Sequence, residues 1–197
     1  MLRLRELVAL PIAGLVLSAC ATEANRIETT RFHLGQEIAR GDVRVLPNDP
    51  SLADSLETRQ YAEVIGQEFG SAGFRMASAT AVDEVVLFSV NRVVRPAGPA
   101  RAPLTIGIGG GTGGGGFGIG VGTSFPVGKP KARELVSYEL HLRLRRERDN
   151  AVIWEGRART EAAMTTAGAD PRTAVARMTR ALLKDFPGES GKTITVK

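Results

Sequence analysis

The stretch Glu134-Leu-Val-Ser-Tyr-Glu-Leu-His-Leu-Arg-Leu-Arg-Arg146, followed past Asp149-Asn150 by Val152-Ile-Trp-Glu-Gly-Arg-Ala-Arg-Thr-Glu-Ala162, decides the fold. Val136, Tyr138, Leu140, Leu142 and Leu144 alternate with Ser137, Glu139, His141, Arg143 and Arg145. That period of two belongs to a strand with one buried and one wet face. Asp149-Asn150 marks a turn, and the second run is the partner strand of a hairpin. The faces set the register. A three-residue loop at Arg148 to Asn150 places Leu144 opposite Trp154, Leu142 opposite Gly156 and Leu140 opposite Ala158. It also sets Arg143 against Glu155 and Glu139 against Arg159 on the wet face, pairs of the kind that stabilise cross-strand neighbours. A two-residue loop would bring Leu144 against Glu155, so the odd loop is expected.

Beyond the hairpin, Asp170-Pro171 is an N-cap followed by proline at the first helical position. The helix it opens runs to about Phe186, with Val175, Met178, Ala181, Leu182 and Phe186 as its apolar stripe, and Pro187-Gly188 stops it. Thr193 to Val196 reads as a short edge strand. Upstream, Ile27 to Leu34 and Val43 to Leu46 read as strands, and Glu84 to Arg95, β-branched and bounded by Pro96, reads as a third. Pro50 and Ser51-Leu52-Ala53-Asp54 signal a helix running to about Gly70. Its apolar residues Leu52, Leu56, Tyr61, Val64, Ile65 and Phe69 fall mostly at helical spacing, which gives it one face to pack on a sheet.

Thr105 to Thr123 is dominated by glycine. Ile106 and Ile108 on one side, and Phe117, Ile119 and Val121 on the other, alternate with glycine around a nearly glycine-only centre. A phosphate-cradling loop would need a lysine and then a hydroxyl residue at fixed spacing. Gly128-Lys129 is followed by Pro130, so that test fails. A dinucleotide fingerprint in Gly111 to Gly116 lacks the helix that should follow it. Two readings stay open: a hairpin with an apolar edge that touches a membrane or a partner, or an unordered insertion between strands, since glycine loses the most backbone entropy on ordering.

The chain has 197 residues, a formal net charge of +5 and one cysteine, Cys20. Arg3 and Arg5, an apolar run from about Leu7 to Leu17, and Leu17-Ser18-Ala19-Cys20 have the parts of an export signal. The apolar run is shorter than the roughly 20 residues a membrane-spanning helix needs. The segment resembles a bacterial lipoprotein signal, in which residues 1–19 are removed and Cys20 becomes the acylated first residue. The multiple acyl chains that resemblance implies would anchor the protein, because each buried methylene contributes about 0.8 kcal/mol and two chains suffice for stable attachment. By resemblance to the enterobacterial lipoprotein sorting rule, Ala21 after the cysteine, rather than an aspartate, implies the outer membrane, with the protein on its periplasmic face. Residues 20–25 then form a tether, and 26–197 one domain with a Gly-rich insertion at 104–130. An exported chain does not routinely meet nucleic acid, so its basic balance points to phosphorylated lipid headgroups or acidic envelope polymers, or to a merely solvated surface.

Catalytic chemistry has little footing. His33 and His141 stand far apart on strand-like segments and would need further ligands to hold zinc. Ser124 and Ser137 lack an identifiable base, and Glu155 and Glu161 lie among arginines, where charge pairing is the expected work. No cofactor, metal or enzymatic activity is expected.

The order that begins with Cys20 and continues through strand, helix, strand, glycine-rich stretch, the Val-Ile-Trp-Glu-Gly segment at 152–156 and a C-terminal helix ending Leu-Lys-Asp-Phe-Pro at 183–187 resembles the bacterial lipoprotein family known as domain of unknown function 4136. Trp154, Gly156 and Phe186-Pro187 are its sharpest points. The chain departs from it at Arg143 and Arg145, where acidic positions are expected. The resemblance implies an envelope-associated α+β domain without established catalytic activity.

The expected fold is therefore an α+β two-layer sandwich, a mainly antiparallel sheet with two helices on one face, preceded by a lipoprotein signal peptide and interrupted by the Gly-rich loop or hairpin. Its uncovered face would present Arg143, Arg145, Arg157 and Arg159. The expected role is a structural or interaction module anchored through Cys20 that meets an envelope protein, with binding of an anionic envelope lipid or polymer through the four arginines as the alternative.

Overall fold

The computed structural model describes residues 26–77, 82–97, 105–108, 123–126 and 134–197. In chain order its elements are β1 (Ile27–Phe32), β2 (Asp42–Pro47), α1 (Leu56–Ser71), β3 (Arg75–Met76), β4 (Glu84–Pro96), β5 (Thr105–Ile108), β6 (Thr123–Pro126), β7 (Glu134–Arg146), β8 (Val152–Ala163), α2 (Pro171–Leu183) and β9 (Thr193–Val196). Seven strands form one sheet in the order β3-β2-β4-β7-β8-β1-β9, and β5 and β6 pair separately. Only β2 runs parallel to its neighbours β3 and β4; the other ladders of the main sheet are antiparallel. Both helices cover one face, which makes the expected two-layer α+β sandwich.

The hairpin register is the one the alternation requires: Leu144 opposes Trp154, Leu142 opposes Gly156, and Leu140 opposes Ala158. Val136, Tyr138, Leu140, Leu142 and Leu144 are all buried beneath the helices. Burial of each such side chain contributes about 1.5–3 kcal/mol, so a one-residue slip would forfeit most of the core. The loop differs from expectation. A bulge shifts the ladder between Leu144 and Arg145, so Arg145 faces Val152 and the Arg146 N–H donates to the Ala151 carbonyl at 2.8 Å. Four residues, Glu147 to Asn150, make the turn instead of three. Asn150 takes the left-handed conformation at φ 57°, which asparagine tolerates, and Asp149 accepts from the Ala151 N–H at 3.1 Å.

The first helix starts later than its entry signal suggests. Asp49 caps a short 3₁₀ turn at Pro50–Leu52, and Ser55 caps α1 itself by accepting from Thr58. Leu52 and Leu56 fall outside the packed stripe and are exposed, whereas Tyr61, Val64, Ile65 and Phe69 are buried. At the other end of the chain, Asp170 caps α2 by accepting from the Thr173 N–H at 2.8 Å. That helix stops at Leu183 rather than Phe186, because Lys184 turns to ψ 127° and Asp185 to φ 55°. The reversal swings Phe186 back onto the core, 5.4 Å from both the Phe74 and Trp154 rings. The first strand likewise ends at Phe32, and Leu34 is exposed.

Within the Gly-rich insertion, Thr105–Ile108 pairs antiparallel with Thr123–Pro126, Ile106 opposite Phe125 and Ile108 opposite Thr123. Phe117, Ile119 and Val121 lie outside the described residues, as do the leader and Cys20.

Candidate functional site

The sheet face away from the helices carries the charged residues singled out from sequence. Arg143 and Arg145 stand on β7, Arg157 and Arg159 beside them on β8, with His141 opposite Arg157. The four arginines share a face, but three are engaged with carboxylates. Arg145 meets Glu147 at 3.0 Å, Arg157 meets Glu155 at 2.9 Å and Arg159 meets Glu139 at 3.0 Å. The last is the cross-strand pair expected from the register. The other expected pair does not form as an ion pair: Arg143 faces Glu155 across the ladder but donates to the Asn48 side-chain oxygen, beyond β2. Glu155 instead lies between Arg157 and His141, whose Nε2 is 3.0 Å away. Arg95 on β4 and Ser137 on β7 both donate to Glu161, at 2.6 and 3.0 Å. The Arg95 bond, with help from Ser137, holds the Glu161 carboxyl below the usual carboxylate range.

Two shallow cavities flank β7 on this face. One of about 390 Å³ is bordered by Glu28, Asn91, Ser137, Glu139 and Arg159, and one of about 290 Å³ by Ser89, Glu139, His141 and Arg157. Of the carboxylates bordering them, Glu139 and Glu161 are tied to Arg159 and Arg95, which makes these two poor general acids or bases at neutral pH. A larger hollow of about 570 Å³ lies on the helix side, where Arg180 grips Glu68 with two bonds of 2.7 and 3.0 Å. Among the described residues no three His, Cys, Asp or Glu side chains are placed to hold a metal ion. The two histidines do not meet: His33 lies 2.9 Å from the Gly188 carbonyl through its Nε2, while His141 stands beside Glu155.

The sheet also has an incomplete edge. β2 pairs with β4 only along Glu84–Phe88, extended by one bond from the Asn48 N–H to the Phe88 carbonyl. From Ser89 to Pro96 the outer edge of β4 has no strand partner among the described residues, while its inner edge remains paired with β7 throughout. Most of this half-strand is exposed on both faces. An open row of backbone donors and acceptors is a template for strand addition.

Two buried charged groups escaped the sequence reading. Arg31 donates from Nη2 to the Ala181 carbonyl at 2.8 Å, in the last turn of α2, where a cation complements the helix dipole. Burial lowers its proton affinity, and nearby Asp185 works in the opposite sense. The parity of β1 contained the signal, since Arg31 continues the inward row of Ile27 and Thr29. Glu84, at the start of β4, is also buried; desolvation, reinforced by Asp83, pushes its pKa up to about 7 despite Arg146.

Among solved structures, a PelC dodecamer from Paraburkholderia phytofirmans is 13% identical, covering 80% of this chain and 97% of that one with a TM-score of 0.40. A PDZ domain protein from Parabacteroides distasonis is 12% identical, covering 88% of this chain and 39% of that one with a TM-score of 0.44. In sequence, an uncharacterized protein of Zymomonas mobilis subsp. mobilis is 32% identical over 212 aligned residues, covering 87% of this chain and 80% of its own. A family model matches residues 27–188, from the first residue of β1 through the turn that follows α2. The chain belongs to the family described as domain of unknown function (DUF4136).

Proposed function

We propose that this protein is a lipid-anchored component of the bacterial envelope, held on the periplasmic face of the outer membrane through Cys20, and that it works as a non-enzymatic interaction module. The leader and Cys20 support the anchoring. Among the described residues no helix is long and apolar enough to cross a membrane. The observation that carries the interaction role is the open β4 edge from Ser89 to Pro96, beside a face whose charges are largely paired with one another. A partner strand added there would gain backbone hydrogen bonds without displacing any described element.

The test combines labelled fatty acid with a photo-crosslinking residue at Asn91, on the open edge, or at Gln67, on the exposed side of α1. The expected result is label on the wild type, none on Cys20→Ser, and a discrete crosslinked envelope protein from Asn91 but not from Gln67. Equal crosslinking from both positions would count against the edge, and label retained by Cys20→Ser would count against the anchor. Binding of an anionic lipid or polymer through Arg143, Arg145, Arg157 and Arg159 is a second reading, favoured by the contact of Arg143 with the neutral Asn48 amide. It predicts steep salt sensitivity and loss of binding in Arg143→Ala/Arg157→Ala.

A further inference from the structure

The ladders place several distant parts of the chain at one end of the sheet. Ile27, the first residue of β1, is level with Thr160 of β8, which faces Tyr138 of β7, which in turn faces Arg92 of β4. From that level β4 and β7 continue together to the Pro96–Glu134 pair. At strand rise, the four further residues carry this arm about 13 Å beyond the start of β1. The β4 side of the arm is exposed and partly apolar: Val93 is 50% and Val94 42% exposed, while Val136 opposite Val94 is buried; Met164, joined to Glu134 by a 2.9 Å backbone bond, is 38% exposed.

Two features of the sequence converge on the same end. Cys20 is seven residues before Ile27, a separation of at most about 25 Å when fully extended and about 15 Å for a flexible chain. A lipid on Cys20 would therefore hold the start of β1 near the bilayer, while the 147–150 turn lies at the opposite end of the sheet. In addition, the chain leaves the arm at Ala97 and returns at Glu134, and residues 97–133 contain Arg101, Lys129, Lys131 and Arg133 and no Asp or Glu. Such a cation-only segment is drawn toward anionic headgroups.

We infer that the β4–β7 arm is a second, non-covalent contact with the membrane, its Val93, Val94 and Met164 lying at the headgroup level of an anionic lipid surface. This rests on the anchoring reading, and it adds an orientation: the arm points down at the lipid and the 147–150 turn points away. The sheet then stands on the membrane instead of hanging freely from its tether.

The test uses the full acylated protein in vesicles of phosphatidylethanolamine and phosphatidylglycerol, with a fluorophore on a single added cysteine at Val94→Cys, Met164→Cys or Arg148→Cys. Lipids carrying a quencher near the headgroup should quench the labels at 94 and 164 at least threefold more than the label at 148. Two rim positions keep the comparison available should one substitution disturb folding. Equal quenching at rim and turn in vesicle-bound protein overturns the orientation alone. Protein that never cofractionates with the vesicles overturns the anchoring reading and the orientation with it.

Discussion

Replacing Gly156 by alanine probes the packing at the centre of the domain. A Cβ at this position would stand 2.5 Å from Trp154 Cη2, and 3.0 Å from both Trp154 Cζ3 and Leu182 Cδ2. The backbone is not the obstacle, since Gly156 is not among the residues with positive φ. Nor can the indole swing aside freely, because it is almost wholly buried and its Nε1 donates to the Pro187 carbonyl at 3.0 Å. Overpacking of this kind costs about 1–3 kcal/mol, and a displaced indole would lose a bond worth about 1 kcal/mol. The lower chain entropy of unfolded alanine returns about 0.4–1 kcal/mol. The net expectation is about 2 kcal/mol of destabilisation, roughly 4–8 °C in Tm for a domain of this size. Thermal melts followed by far-ultraviolet circular dichroism measure it directly. In Trp154→Phe, which removes the two clashing indole atoms, the Gly156→Ala penalty should shrink by at least about 1 kcal/mol, as expected for coupled neighbours. An unchanged penalty in that background, or a Gly156→Ala protein as stable as wild type, would refute the packing argument.

Other substitutions test separate contacts. Glu84→Gln should stabilise the protein at pH 8 but not at pH 4.5 in urea titrations. The folded-state pKa near 7 lies above the ordinary 4.5, so the carboxyl costs nothing when both states are protonated, and stability falls as pH rises from 4.5 through 7, by about 1–3 kcal/mol at most. A pH-independent difference would remove that explanation. Tyr138→Phe strips the hydroxyl that donates to the Ala169 carbonyl at 2.7 Å and accepts from Arg92, and should lower stability by about 1–2 kcal/mol. Gly188→Ala should cost more, about 2–4 kcal/mol, because it forces alanine to φ 81° and drives a methyl into the Arg31 guanidinium. Arg159→Ala, by contrast, should change stability by less than about 1 kcal/mol, since its pair with Glu139 is solvent-exposed.

Trp154, Gly156 and the strand that faces them were legible because a strand writes its burial into a period of two. Between Glu134 and Ala162 that local rule was enough for faces, register and the Glu139–Arg159 pair. Caps were legible for a similar reason: Asp170 and Pro171 act within one turn of themselves. The bulge beside Arg145 was not, because an inserted residue satisfies the backbone without altering the alternation that precedes it. Nor could the sequence separate a capped 3₁₀ turn at Pro50 from the helix that begins at Leu56.

By itself the sequence determined most of the long elements, the buried faces of the β7–β8 hairpin and the α+β class, since these follow from nearest-neighbour chemistry along the chain. Only the tertiary structure decided the strand order, which seats β1 between β8 and β9 and leaves half of β4 without a partner. It also decided that Arg31 would cap the last turn of α2, that Arg143 would reach Asn48, and that the start of β1 and the β4–β7 arm would share one end of the sheet. Those outcomes depend on contacts between residues far apart in the chain. Their free energy comes from burial and pairing that exist only once the sheet has closed around its core.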